Sequence, residues 1–183
     1  MAALAAKQLL CGQRLVFVRA EELNIAGSLQ RNKMLHTHAV RKRMNTNKRR
    51  GPFHFKAPSR FLFFAIRGMI PYKTTRGKLA MNRLQIFEGV PPRYQKVKLQ
   101  VLPGALTFMR LKANRAFTRL GDLCKTIGWQ HDELIQKLEA KRITNGTAYH
   151  KAKVQKANAD QKKLVAAADK LADINAKLAK LGY

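Results

Sequence analysis

The chain has 183 residues, 37 of them Lys or Arg and 10 Asp or Glu, giving a formal net charge of +27. An apolar content of 46 % is enough to bury a core, so a purely disordered basic tail is excluded. The charge far exceeds what solubility needs and selects a polyanionic partner, nucleic acid before an anionic membrane surface.

The charge is unevenly placed. Residues 23 to 120 carry 22 basic side chains against one acid, Glu88, whereas residues 121 to 183 carry 12 against seven. Thirteen of the 22 are Arg, while Arg142 is the one Arg of the later block. Guanidinium groups make planar bidentate phosphate contacts and stack on bases, and lysines act as mobile point charges. Fitted contacts are therefore expected from the first block and looser, electrostatic ones from the second.

In chain order, Ala2 to Cys11 is rich in Ala and Leu and stops at Gly12, as a helix does. It has no basic leader and carries Lys7, so it does not read as a signal peptide. Leu15 to Val18 reads as a strand buried on both faces, the pattern of a parallel sheet. After a turn at Ala26-Gly27, Ser28 can cap a helix running to about Met44 and ending in Arg41, Lys42 and Arg43. Residues 45 to 57 have no period and mix Lys48, Arg49, Arg50 and Lys56 with Phe53, His54 and Phe55. They predict a basic loop whose rings could stack on unpaired bases, with either Phe53 or Phe55 buried.

Pro58 suits a helix's first turn, and Leu62, Ala65, Ile66 and Met69 fall on one face, which predicts a core helix ended by Pro71. Tyr72 to Gly77 is then an exposed loop, followed by a helix over Lys78 to Arg83 and a strand over Leu84 to Phe87. Glu88 to Pro92 is a rigid turn, and Val97 to Leu102 and Ala105 to Leu111 read as strand or extended chain. Phe117, Leu120, Cys124 and Ile127 mark one face of a helix closed by Gly128. The next helix has Asp132 and Glu133 in its first turn and Lys141 and Arg142 in its last, with a break expected at Asn145-Gly146. Thr147 to Leu181 predicts a long helix whose Leu164, Ala167, Leu171, Ile174, Leu178 and Leu181 form a heptad seam. That seam suits either the protein's own core or a partner protein.

Catalysis finds little material here. The basic block offers Glu88 as its single carboxylate, and there is no GxxxxGK[ST], GxGxxG or HExxH pattern. His36 and His38 sit two apart and point to different faces of a helix, and Cys11 and Cys124 lack metal-ligand or disulfide spacing. No cofactor, metal, small-molecule substrate or membrane is expected, since the longest apolar run, Phe61 to Ile66, is too short to span a bilayer.

Five ordered stretches resemble one family. RKRMNTN (41–47), RGPFHFKAPSR (50–60), RGMIPYKTTRG (67–77), RLQIFEGVPPRY (83–94) and LGDLCKTIGW (120–129) are similar to the thirteenth protein of the large ribosomal subunit in its eukaryotic form. The resemblance covers about Leu4 to Arg142. It implies an α/β fold, a three-layer core with a mostly parallel sheet, followed by a long C-terminal helical extension. Residues 1–143 would be the RNA-binding core and 144–183 the Ala/Lys-rich extension. It also implies a structural, non-catalytic constituent of the large subunit bound to its ribosomal RNA, with neighbouring ribosomal proteins reached through the C-terminal helix. The cytosolic ribosome is the expected location, after nuclear or nucleolar transit during assembly.

The candidate RNA contacts are Arg41, Lys42, Arg43, Lys48, Arg49, Arg50, His54, Lys56, Arg60, Arg67, Tyr72, Lys73, Arg76, Lys78 and Arg83. By resemblance, Arg67, Lys73, Arg76 and Lys78 of the central motif stand foremost. The family usually has a further strand and a Gly-Arg-Leu turn before its first helix, and here Met1 stands almost at that helix, so a missing strand or an incomplete chain is expected. From the residues alone, a DNA-compacting factor with a Lys/Ala-rich tail remains the alternative.

Overall fold

The computed structural model describes residues 1–182, and their side chains except at positions 169, 170 and 173. Two units are present, Met1–Glu139 and Ala140–Tyr183.

In the first unit, α1 (Ala2–Leu10) buries Ala5, Ala6 and Leu9, and its small residues let it lie close against α3 (Pro58–Arg67) and α4 (Thr75–Asn82). Leu62, Ile66, Ile70, Ala80 and Leu84 complete this cluster. Strands β1 (Leu15–Phe17) and β3 (Leu84–Ile86) pair in parallel, Leu15 opposite Leu84 and Phe17 opposite Ile86. Leu15 and Phe17 are half-buried, but Val16 is 42 % exposed beside an exposed Gln85. Burial on both faces is thus corrected: only the helix-packed side of this short ladder is covered.

A second cluster forms around Leu120, Leu123, Cys124 and Trp129. Burial, and secondarily the Glu88 carboxylate, push the Cys124 thiol up to about 12. Above this cluster lies a ladder that sequence patterning did not anticipate. Strand β2 (Asn24–Ala26) pairs antiparallel with β4 (Phe117–Arg119), so the described strands form two separate pairs. The periodic set starting at Phe117 merged a strand with a helix, because α6 covers only Leu120–Thr126 and Phe117 is exposed. The inward residue of β4 is Thr118, whose hydroxyl donates to Gly27 O (2.7 Å) and accepts from Asn32 Nδ2 (3.2 Å). Asn32 belongs to α2 (Leu29–Arg41), which Ser28 caps by accepting from Arg31 N. That helix ends before Met44, since residues 42 to 44 leave helical geometry.

Residues 97 to 111 form no strand. They hold a 3-10 turn at Pro103–Ala105 and a single helical turn, α5 (Thr107–Arg110), with Val101 and Phe108 exposed. An apolar stretch becomes a strand only by pairing, and among the described residues neither stretch pairs with another.

The scarce acids serve the fold. Glu88 Oε1 accepts from Ser59 N (3.1 Å), capping α3, whose own N-cap residue Ala57 has no side chain that could do so. The following turn is gripped by two further carboxylates: Glu21 accepts from Gly89 N (3.0 Å) and Glu139 from Val90 N (2.8 Å). Glu21 is 8 % exposed, and burial raises its pKa. The folded state therefore holds this proton to higher pH than the unfolded chain, and the linkage costs stability as pH rises through that window. Glu21→Gln keeps an acceptor and removes the titration. The stability of wild type relative to Glu21→Gln should fall as pH rises past 4.5, the ordinary value, and then level off. Glu21→Ala orphans Gly89 N and should cost about 1–3 kcal/mol at every pH. Urea unfolding at a series of pH values reads both, and parallel curves for wild type and Glu21→Gln would refute the linkage.

Helix α7 spans Asp132–Lys180 without the expected break at Asn145-Gly146. Helix-forming neighbours on both sides outweigh one glycine, whose helical cost is about 1 kcal/mol. In the second unit the seam residues Leu164, Leu171, Ile174, Leu178 and Leu181 are all exposed. No described helix is long and apolar enough to cross a membrane.

Candidate nucleic-acid interface

Helix α3 has two faces with different chemistry. Leu62 (7 % exposed) and Ile66 (0 %) point inward, and the third inward residue is Ile70, not Met69. Met69 is 53 % exposed and Ala65 is exposed as well, which corrects the predicted face. The helix stops at Arg67, and the turn beginning at Gly68 carries the inward direction on to Ile70.

The outer face carries Arg60, Phe64 and Arg67 at i, i+4 and i+7. The Arg60 guanidinium lies 5.2 Å from the Phe55 ring centre, and Phe55 stacks on Phe64 at 5.7 Å. Arg67 then sits between Phe64 (4.6 Å) and Tyr72 (4.8 Å). Cations and rings thus form a continuous ladder from Phe55 in one predicted loop, across α3, to Tyr72 in the other. Each cation–π contact contributes about 0.5–1 kcal/mol at an exposed site, enough together to fasten both loops to the helix. Neither Phe53 (70 % exposed) nor Phe55 (44 %) is buried, against expectation. Phe55 satisfies its apolar surface on this ladder instead of in the core.

The second loop is fixed by backbone. Tyr72 N donates to Ile70 O (2.7 Å), while the Thr74 hydroxyl donates to Pro71 O (2.7 Å) and accepts from Gly77 N (3.1 Å). Thr74 is therefore an N-cap, and α4 begins at Thr75, three residues earlier than its pattern suggested. Arg76 lies in the first turn of α4 and is not a loop residue. Lys73, Arg76 and Lys78 are exposed around this helix N-terminus, where the helix dipole adds to their positive field.

The first loop is held more loosely. Asn47 accepts from Arg49 N through its side chain (3.0 Å) and from Arg50 N through its carbonyl (3.1 Å), and His54 Nε2 lies 3.3 Å from Lys42 O. Arg43 Nε donates to Val40 O near the end of α2 (3.0 Å). Arg41, Lys42, Lys48, Arg49 and Arg50 are exposed along this loop, and Lys56 reaches toward Gly128 at the end of α6. The His36 ring lies tilted against Phe61 at 5.7 Å, and its pKa is lowered by burial and then by His54 and Lys56.

Comparison with known proteins matches these elements to a family. The description "Ribosomal protein L13" fits residues 3–93, which include α1, both loops, the ladder and β3. The large ribosomal subunit protein uL13 of Tetrahymena thermophila is 48 % identical over 183 residues, covering all of this chain and 91 % of that protein. The chain belongs to the ribosomal protein L13 family.

In this L13-family chain, Arg83 stands apart from the other candidates. It is half-buried, and its Nη2 donates to Leu9 O (2.9 Å) at the end of α1, so its visible role is to hold α1 against β3. Phe64 was missed as part of the surface because an aromatic residue in a helix reads as core, whereas Phe63 does pack against the first cluster. The i, i+4, i+7 spacing of Arg60, Phe64 and Arg67 was the available cue. Arg93, over Tyr94 at 5.8 Å, is a further cation on a ring, outside the predicted contacts. Five acids collect elsewhere: Glu21, Glu22, Asp122, Asp132 and Glu139 line a recess of about 230 Å³.

Proposed function

We propose that this protein binds large-subunit ribosomal RNA through the ladder on α3 and the two basic segments it fastens, the loop Lys48 to Lys56 and the turn and first helical turn Tyr72 to Lys78. As a eukaryotic-type L13-family member it is a structural constituent of the large ribosomal subunit, and the non-ribosomal DNA-binding alternative has no support. The ladder carries the proposal. It preorganises two cationic segments at fixed spacing, lowering the ordering cost of engaging a phosphate backbone.

The reading includes a division into core (1–143) and basic helical extension (144–183), a non-enzymatic role, and residence in cytosolic ribosomes after nucleolar transit. It also includes the family's three-layer core, of which the packing of α1, α3 and α4 on one side of the β1·β3 pair supplies two layers. The exposed seam of α7 supports docking on a neighbouring ribosomal protein.

In lysates the tagged chain should sediment with large subunits at moderate salt. RNase but not DNase should release it. Recovery only as free monomer, or release by DNase alone, would overturn the proposal.

A further inference from the structure

Val97 to Leu102 has the side-chain pattern of a strand and no strand of this chain beside it. Val97, Leu99 and Val101 alternate with Lys96, Lys98 and Gln100, so an extended chain carries methyl groups on one side and polar ends on the other. Both ends are pinned. Val97 N donates to Tyr94 O (3.3 Å), and Ala105 N donates to Leu102 O (3.0 Å) in the turn at Pro103–Ala105. Between these points no backbone N–H from Lys98 to Leu102, and no carbonyl from Lys98 to Val101, has a backbone partner among the described residues. Every residue from Val97 to Leu102 is exposed, Val101 by 72 %.

We infer that this segment is a docking strand, which adds itself by main-chain hydrogen bonds to the exposed edge strand of a neighbouring protein in the large ribosomal subunit. The chemistry narrows the occupant. Valine and leucine offer no charge to a phosphate and no ring to a base, whereas the apolar face of a sheet covers them well. A second copy of this chain is opposed by charge, since each copy carries +27 and no acid lies between Glu88 and Asp122 to answer Lys96 and Lys98. The partner edge should therefore bring apolar side chains to Val97, Leu99 and Val101 and carboxylates within reach of Lys96 and Lys98. The pinned ends already restrict the segment, so less ordering entropy is lost on pairing. This rests on the protein's place in the large subunit and not on the RNA contacts of the ladder.

The test places the photo-crosslinker p-benzoylphenylalanine at Val97 of the full tagged chain and irradiates purified large subunits. A cross-link to another protein is required, and proline then decides whether strand pairing holds it. Pairing through one edge uses alternate N–H groups, and proline, which lacks one, is tolerated only where the N–H points away from the ladder. One of Leu99→Pro and Gln100→Pro should therefore lower the cross-link at least about tenfold, by orphaning the partner's carbonyl, and the other should leave it unchanged. In the free chain both variants should melt like wild type, because neither N–H has a backbone partner there. Amide hydrogen exchange at 98–102 should be fast in the free chain and slowed in large subunits. The inference is overturned if the cross-link goes to RNA or to a second copy of this chain, if no protein is cross-linked, or if the two proline variants act alike. Amides already protected in the free chain would overturn it as well. Absence of the tagged chain from large subunits would overturn the ribosomal placement itself, and this inference with it.

Discussion

Gly77→Ala is expected to destabilise the protein by at least about 3 kcal/mol, although helix propensity alone predicts a gain of about 1 kcal/mol for the same change. Gly77 sits in the first turn of α4, buried beneath the preceding turn. A Cβ there would overlap the carbonyl group of Pro71 and come within 2.8 Å of Tyr72 N. These are backbone atoms already fixed by the Thr74 hydroxyl and the Tyr72–Ile70 hydrogen bond, so they cannot step aside as a flexible side chain could. The Tyr72–Thr74 turn must lift, and Tyr72 must leave Arg67. For a chain of this size the melting temperature should drop by roughly 6–12 °C. RNA affinity should fall with it, because Lys73 and Arg76 lose their fixed positions. An unchanged or raised melting temperature would show that the turn yields easily and that the second loop is not preorganised.

Replacing Arg67 and Arg76 together by Ala should weaken RNA binding roughly thirtyfold near 0.15 M salt and reduce the salt slope by up to about 1.8, if each side chain meets one phosphate. The single variants separate two roles. Arg76 is exposed at a helix N-terminus, so Arg76→Ala should act through charge, with a lower slope and an unchanged fold. Arg67 lies between Phe64 and Tyr72, and Arg67→Lys keeps the charge while losing the planar group that stacks on both rings. Arg67→Lys should therefore weaken binding with little change of slope. An unchanged affinity for Arg67→Lys would reduce the ladder to packing, and an unchanged slope for Arg76→Ala would remove that side chain from the phosphate-binding surface.

What the sequence determined by itself was the partner's chemistry and the elements with strong local cues. An acid-free block of 65 residues, 23 to 87, selects a polyanion whatever the fold, because charge sums without reference to geometry. Helices α1, α2 and α3 were legible from composition, a Ser28 cap and Pro58 at a helix start, and β1 and β3 were legible as strands, though not their pairing or the one-sided burial of β1. The tertiary structure decided the remainder. Three-residue strands such as β2 and β4 carry too little period to be seen, and β4 exists because Ala26 and Phe117, 91 positions apart, are brought together. The helical period of α3 gave a core face, but only the end of the helix at Arg67 settled that Ile70 and not Met69 is inside. Local cues also showed two loops and a separate core helix where Arg60, Phe55, Phe64, Arg67 and Tyr72 form one surface. Cation–π contacts depend on the distance between rings and guanidinium groups in space, and that distance is a property of the folded chain alone.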